Sequence, residues 1–155
     1  MIKVHFTYSN NLFSKLTRLF TVSQFSHIEI EVDGMCYSAK PFVGVYKQTA
    51  EELKTDKNIV IESFILKHKP TEAQKELILN FLNLQVGKKY DYKAVIACGL
   101  FKRDWENNLD KWFCSELVAK SLELAGLRLI NKYYKPNRVI PEDLVLSLRL
   151  VKIGA

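Results

Sequence analysis

A strict two-residue alternation opens this chain and then returns, and it constrains the fold more than any other feature. Ile2, Val4, Phe6 and Tyr8 alternate with Lys3, His5 and Thr7. Ile28, Ile30 and Val32 alternate in the same way with His27, Glu29 and Glu31. Successive side chains of a strand point to opposite faces, so each run reads as a half-buried strand. Asp33-Gly34 follows the second run at once. This pair accepts the positive φ values of a tight hairpin, so Met35–Ala39 is expected to return as a third strand. Pro41–Gly44 breaks that strand, and Val45-Tyr46 resumes pairing. Ile59–Leu66 is β-branched and aromatic, a further strand.

Helical spacing fills the intervals. Leu12, Phe13, Leu16, Leu19 and Phe20 follow a polar Ser9-Asn10-Asn11 and predict a short amphipathic helix. Thr49–Leu53 reads as another short helix. Thr71-Glu72-Ala73-Gln74 is a capping box, in which Thr and Gln satisfy free backbone donors. The helix it opens presents Ala73, Leu77, Ile78, Phe81, Leu82 and Leu84 as one apolar face, and Gly87 ends it as a C′ residue. Asp91 caps a middle helix containing Ala94–Cys98, and the polar stretch from Arg103 to Lys111 reads as a loop. Cys114–Ala125 is the next helix, with Leu117, Val118, Leu122 and Ala125 on one face and Gly126 as its stop. Pro136 and Pro141 precede a closing apolar segment, Leu144–Ile153. This order predicts an α+β fold, its sheet mostly antiparallel with helices on one face or at the edges.

The chain has 155 residues, the length of one domain spanning 1–155 and enough to bury a core without staples. It contains no repeat and no low-complexity stretch, which excludes solenoid and disordered classes. The formal net charge is +6, but only Lys88-Lys89 and Lys102-Arg103 are adjacent basic pairs. A basic balance favours anionic partners such as a wall or lipid surface. No nucleic acid is expected as partner, because neither a motif nor aromatic–basic interleaving is present. The first residues have no continuous apolar stretch like that of a signal peptide. No apolar run approaches the ~20 residues of a membrane span. The chain is therefore expected to be cytoplasmic as synthesised, with peripheral membrane or wall contact left open. Three widely spaced cysteines, Cys36, Cys98 and Cys114, argue against a disulfide framework, and the lack of a Cys-x-x-Cys pair argues against structural zinc. No cofactor or metal is expected.

Two residues stand out as chemistry-bearing. Cys114 sits at the start of a helical pattern, where the positive end of the helix dipole favours a thiolate. It also shares the apolar face of Leu117 and Val118, so a buried core cysteine is the competing assignment. His27 opens the second strand on the same face as Glu29 and Glu31. Neighbouring carboxylates could hold its tautomer and raise its basicity, while an ordinary histidine on a polar strand face is the alternative. His5 and His68 are weaker candidates: the first lies mid-strand, and the second lies between Lys67 and Lys69.

Phe25-Ser26-His27-Ile28-Glu29-Ile30 resembles the histidine strand of the circularly permuted branch of the NlpC-like papain-fold peptidases. These are the YiiX-like amidases, relatives of the lecithin retinol acyltransferases. Trp112-Phe113-Cys114-Ser115-Glu116-Leu117-Val118 is similar to that branch's aromatic-Cys-Ser-Glu-Leu-Val helix start. Weaker likenesses follow the same order: Tyr37-Ser38-Ala39 with Val43-Gly44-Val45, Gly87-Lys88-Lys89-Tyr90-Asp91, and Ile140-Pro141-Glu142-Asp143-Leu144. They run from Phe25 to Leu144, most of the chain. The resemblance implies a papain-like fold and a cysteine hydrolase acting on an amide or acyl ester. Cys114 would be the nucleophile and His27 its base, with an oxyanion held at the Cys114 backbone N–H. The substrate it implies is a peptide, cell-wall or lipid acyl group. The family often places a glutamate where this chain has Ser38. Serine accepts an imidazole N–H bond but brings no charge to an imidazolium. Ser38 is thus one third member, and Glu29 is the alternative, roughly 7 Å along the strand face from His27. The departure at Ser38 also admits a second reading, a catalytically weakened protein that binds an acyl or peptidyl ligand in the same groove.

Overall fold

A computed structural model describes residues 1–10, 12–21, 23–55, 59–96, 110–130, 135–136 and 139–154. In chain order the elements are β1 (Ile2–Ser9), α1 (Leu12–Thr21), β2 (His27–Val32), β3 (Met35–Lys40), β4 (Gly44–Thr49), α2 (Ala50–Thr55) and β5 (Ile59–Leu66). They continue with α3 (Glu72–Gln85), β6 (Lys89–Tyr90), α4 (Tyr92–Ile96), β7 (Lys111–Trp112), α5 (Cys114–Leu124), α6 (Pro141–Val145) and β8 (Leu150–Ile153). The fold is mixed α+β. Six strands form one sheet in the order β4-β3-β2-β1-β5-β8, and every neighbouring pair is antiparallel. β6 and β7 pair separately and in parallel.

The hairpin expected at Asp33-Gly34 is present, with both residues at positive φ. The alternation sorts side chains as expected: Val4, Phe6, Ile28, Ile30, Tyr37, Ala39 and Phe64 join one apolar core with Ile78, Leu82, Leu117, Val118 and Leu122. α5 packs on β2 and β3, and α3 packs on α5. Each fully buried aliphatic side chain there contributes about 1.5–3 kcal/mol of hydrophobic stabilisation.

The opposite face departs from the expectation of half-buried strands. His5, Thr7, Glu29, Glu31, Cys36 and Ser38 are all buried as well. A buried charge is tolerable only when paired, and Glu31 is: Lys3 Nζ lies 2.7 Å from its Oε1 and His5 Nε2 lies 2.8 Å from its Oε2.

The predicted capping box of α3 is formed in both directions between Thr71 and Gln74. Its apolar face is narrower than the sequence pattern, however. Ile78, Leu82 and Gln85 are buried, while Leu77 and Leu84 are 52% and 75% exposed, because the contact with α5 covers only one stripe of the helix. Gly87 and Gly126 follow the ends of α3 and α5 at positive φ, as expected of helix stops. Asp91 Oδ1 accepts the Ala94 N–H at 2.9 Å, which caps α4. The middle helix beyond Ile96, with Cys98, and most of the polar stretch to Lys111 lie outside the described residues. The closing apolar segment divides into α6 and β8, and β8 adds an edge strand to β5.

Candidate active site

The β2–β3 ladder is short. It pairs Ile30 with Tyr37, Glu31 with Cys36 and Val32 with Met35, and it ends there. Towards His27, the backbone of Ile28 therefore has no partner in β3. One side chain takes its carbonyl instead: the Ser38 hydroxyl donates to it at 2.5 Å. The Ile28 backbone also lies near enough to the Cys114 thiol to pull its pKa down. Cys114, at the start of α5, thus lies beside Ile28, the residue that follows His27 in β2.

The start of α5 is fixed by its flanks. Tyr90 pairs with Trp112 across β6 and β7, and the Asp91 N–H donates to the Trp112 carbonyl at 3.0 Å. The Trp112 indole donates to Gln85 Oε1 at 3.0 Å, and Ser115 Oγ donates to the Val139 carbonyl at 2.6 Å. Phe113, the N-cap residue, offers no side-chain cap. Burial pushes the Cys114 thiol up to about 11, despite backbone N–H groups of Ile28, Ser115 and Cys114 that pull it down.

On the other face, His27 Nε2 lies 3.1 Å from the Tyr46 hydroxyl, and that hydroxyl donates to Glu29 Oε1 at 2.9 Å. Gln48 Nε2 holds both oxygens of Glu29, at 3.1 and 3.0 Å. Tyr46 has one hydroxyl proton. With Glu29 ionised that proton goes to the carboxylate, so the phenol oxygen accepts from His27 Nε2–H. The imidazole is then the Nε2–H tautomer, and its Nδ1 carries the basic lone pair. Burial, with Lys40 nearby, pushes His27 down to about 4. Burial raises Glu29, against the bonds from Gln48 and Tyr46 that lower it. The resting thiol and imidazole are both neutral at pH 7.

The predicted third members fall in different places. Ser38 is turned to the Ile28 carbonyl and gives no hydrogen bond to the His27 ring. Glu29 Oε1 lies 3.7 Å from His27 Nε2 and is bonded to it through Tyr46. Sequence reasoning missed Tyr46 and Gln48 as members of this group. Their signal was the alternation of Gly44–Thr49, which puts both on the face of His27 and Glu29. His5 is bonded to Ser63 and Glu31, and His68 is exposed beyond β5. A cleft of about 370 Å³ opens on this face, lined by His27, Glu29, Tyr46, Lys40, Phe42 and Tyr90 among others.

No protein-family model matches the chain, and no curated protein matches it. The solved structures give a match over almost the whole length. The crystal structure of metalloprotein yiiX from Escherichia coli O157:H7 superposes with a TM-score of 0.69 at 18% identity. The match covers 98% of this chain and 94% of that one. This chain has the yiiX fold. At such low identity the likeness to yiiX concerns the arrangement of the backbone. Among the described residues, no helix is long and apolar enough to cross a membrane.

Proposed function

We propose that the chain is a papain-like cysteine hydrolase of the permuted type, cleaving an amide or acyl ester through a thiol acyl-enzyme. The observation that supports this reading is the approach of Cys114 to the strand that carries His27. The Cys114 thiol, at a helix start, lies beside the Ile28 backbone, and the adjacent His27 imidazole has a tautomer fixed by Tyr46 and Glu29. A nucleophile, a base and a group that orients the base are the parts such chemistry needs.

The thiol proton passes to His27 Nδ1 as the sulfur bonds the acyl carbon. The uncapped first-turn N–H groups of α5 stabilise the oxyanion. The leaving amine or alcohol departs with that proton, and the acyl group stays on Cys114. Water then attacks: its proton goes to Nδ1, its hydroxyl to the acyl carbon, and the thiolate regains the proton. A neutral resting pair means that proton transfer accompanies attack instead of preceding it. Peptide, wall and lipid acyl groups are the substrate classes that fit, entering along the cleft of His27, Lys40 and Phe42.

The same neutral pair favours a second reading, a protein that binds an acyl or peptidyl ligand without turning it over. Intact-mass analysis during incubation with activated acyl esters and N-acyl amides separates the two. Under the hydrolase reading an acyl adduct appears on Cys114, and His27→Ala slows its formation by about 10²–10⁴-fold. Saturable binding with no adduct and no product would reject the hydrolase and leave the binding protein.

A further inference from the structure

The buried polar face holds a second group of residues that the proposed hydrolysis does not use. His5 in β1, Glu31 in β2 and Cys36 in β3 each present one ligand atom, and these atoms lie within 4.8 Å of one another. All three residues are almost completely buried, at 2%, 3% and 0% exposure. Three adjacent strands hold them. Glu31 stands opposite Cys36 in the β2–β3 register, and His5 stands opposite Glu29, the neighbour of Glu31 along that face. A rigid sheet thus fixes the imidazole, carboxylate and thiol together, the donor set that suits zinc.

We propose that His5, Glu31 and Cys36 form a site for a thiophilic divalent metal of the zinc type. The surrounding bonds suit that role. Lys3 occupies Glu31 Oε1 at 2.7 Å, which leaves Oε2 as the inward donor. His5 Nδ1 lies 2.8 Å from Ser63 Oγ. A serine hydroxyl both donates and accepts. Without metal, His5 Nε2–H donates to Glu31 Oε2 at 2.8 Å and Ser63 donates to Nδ1. With metal, the ring proton moves to Nδ1 and is accepted by Ser63, and Nε2 turns its lone pair to the ion. The Cys36 thiol loses its proton to solvent as the sulfur–metal bond forms. Glu31 exchanges an imidazole N–H for the ion, and Ser63 orients the histidine as an outer partner of a metal ligand does. Three protein ligands leave a fourth tetrahedral position for water.

Cobalt(II) titration of the chelator-treated full chain tests this, because a cobalt–thiolate bond gives a near-ultraviolet charge-transfer band that no His/carboxylate site produces. One equivalent should bind with that band, and zinc should displace it. The double variant Cys98→Ser/Cys114→Ser leaves Cys36 as the sole thiol and keeps all three proposed ligands, and the band should persist there. Ser63→Ala should weaken cobalt binding by about 10–100-fold. No band in the wild-type chain, or a band lost from the double variant, would overturn the assignment. An affinity unchanged by Ser63→Ala would remove Ser63 as the outer partner of His5 and overturn the site as drawn. None of these readings depends on hydrolase activity.

Discussion

Tyr46 holds the two sides of the candidate site together at the level of a single hydroxyl. It takes the proton of His27 Nε2 and gives its own to Glu29. Tyr46→Phe removes both bonds and nothing of the ring, so the imidazole is free to rotate and to take the other tautomer. Under the proposed mechanism kcat falls while KM changes little, and steady-state kinetics on any acyl ester that turns over would check it. An equal loss in both parameters would instead make Tyr46 a substrate contact. Glu116 makes a different residue-scale case. Its Oε2 is buried with no hydrogen-bond partner, and burial, reinforced by Asp91, pushes the carboxyl up to about 8. The folded chain keeps this proton above the ordinary 4.5, so the stability it confers is full below 4.5 and is lost as pH rises through 8. Glu116→Gln keeps the shape and an acceptor for the Phe113 N–H but cannot ionise. Chemical denaturation above pH 8 should find the variant more stable than wild type by up to about 5 kcal/mol, with little difference near pH 4.5.

Between elements, the decisive contact is the one that ties the β4 edge to the segment before α4. Val45 N–H donates to the Lys88 carbonyl at 2.8 Å, and Gly87 N–H donates to the Val45 carbonyl at 2.9 Å. The chain comes so close here that a Cβ on Gly44 would stand 2.2 Å from the Lys88 oxygen, and Gly44 has φ +81°. Only glycine meets both demands. This junction seats β6, β6 pairs with β7, and β7 leads straight into Cys114. Gly44→Ala should therefore destabilise the chain by more than about 1 kcal/mol. It should also increase alkylation of Cys114, as the α5 start loses its anchor beside Ile28. A melting curve with site-mapped iodoacetamide labelling reads both effects, and a stable variant with unchanged labelling would separate this junction from the site.

Across the whole molecule, buried ionisable groups set the pH range of stability. His27 is depressed from 6.5 to about 4, so its neutral form stabilises the fold fully above 6.5 and the benefit is lost as pH falls through 4, a loss of about 3 kcal/mol. His5 is depressed by burial and acts with the same sign. Glu116 and Glu29 are raised and act with the opposite sign. Between 4.5 and 6.5 the slopes of His27 and Glu116 oppose each other. Denaturation free energies should be nearly flat in that window, should fall towards pH 8 and should fall again below 4.5. A steady rise from acid to alkaline pH would contradict this balance.

Local rules were enough for the sequence to determine the strands, the hairpin, the capped helix and the separation of His27 and Glu29 from Ile28 and Ile30. Alternation, turn residues and capping boxes act over a few residues and need no partner. They also sufficed to single out Cys114 at a helix start. They did not show where the β2–β3 ladder stops, that Ser38 would be bound to the Ile28 carbonyl, or that Tyr46 would bridge His27 to Glu29. Each of those depends on register between strands that are distant in sequence. Nor did they show that the polar residues of that face are buried, because alternation reports which side chains share a face and not how far water reaches them. Burial turned a row of ordinary polar residues into the His27–Tyr46–Glu29 chain and the His5–Glu31–Cys36 cluster. Only tertiary packing removes water from that face, and without water polar groups must find one another.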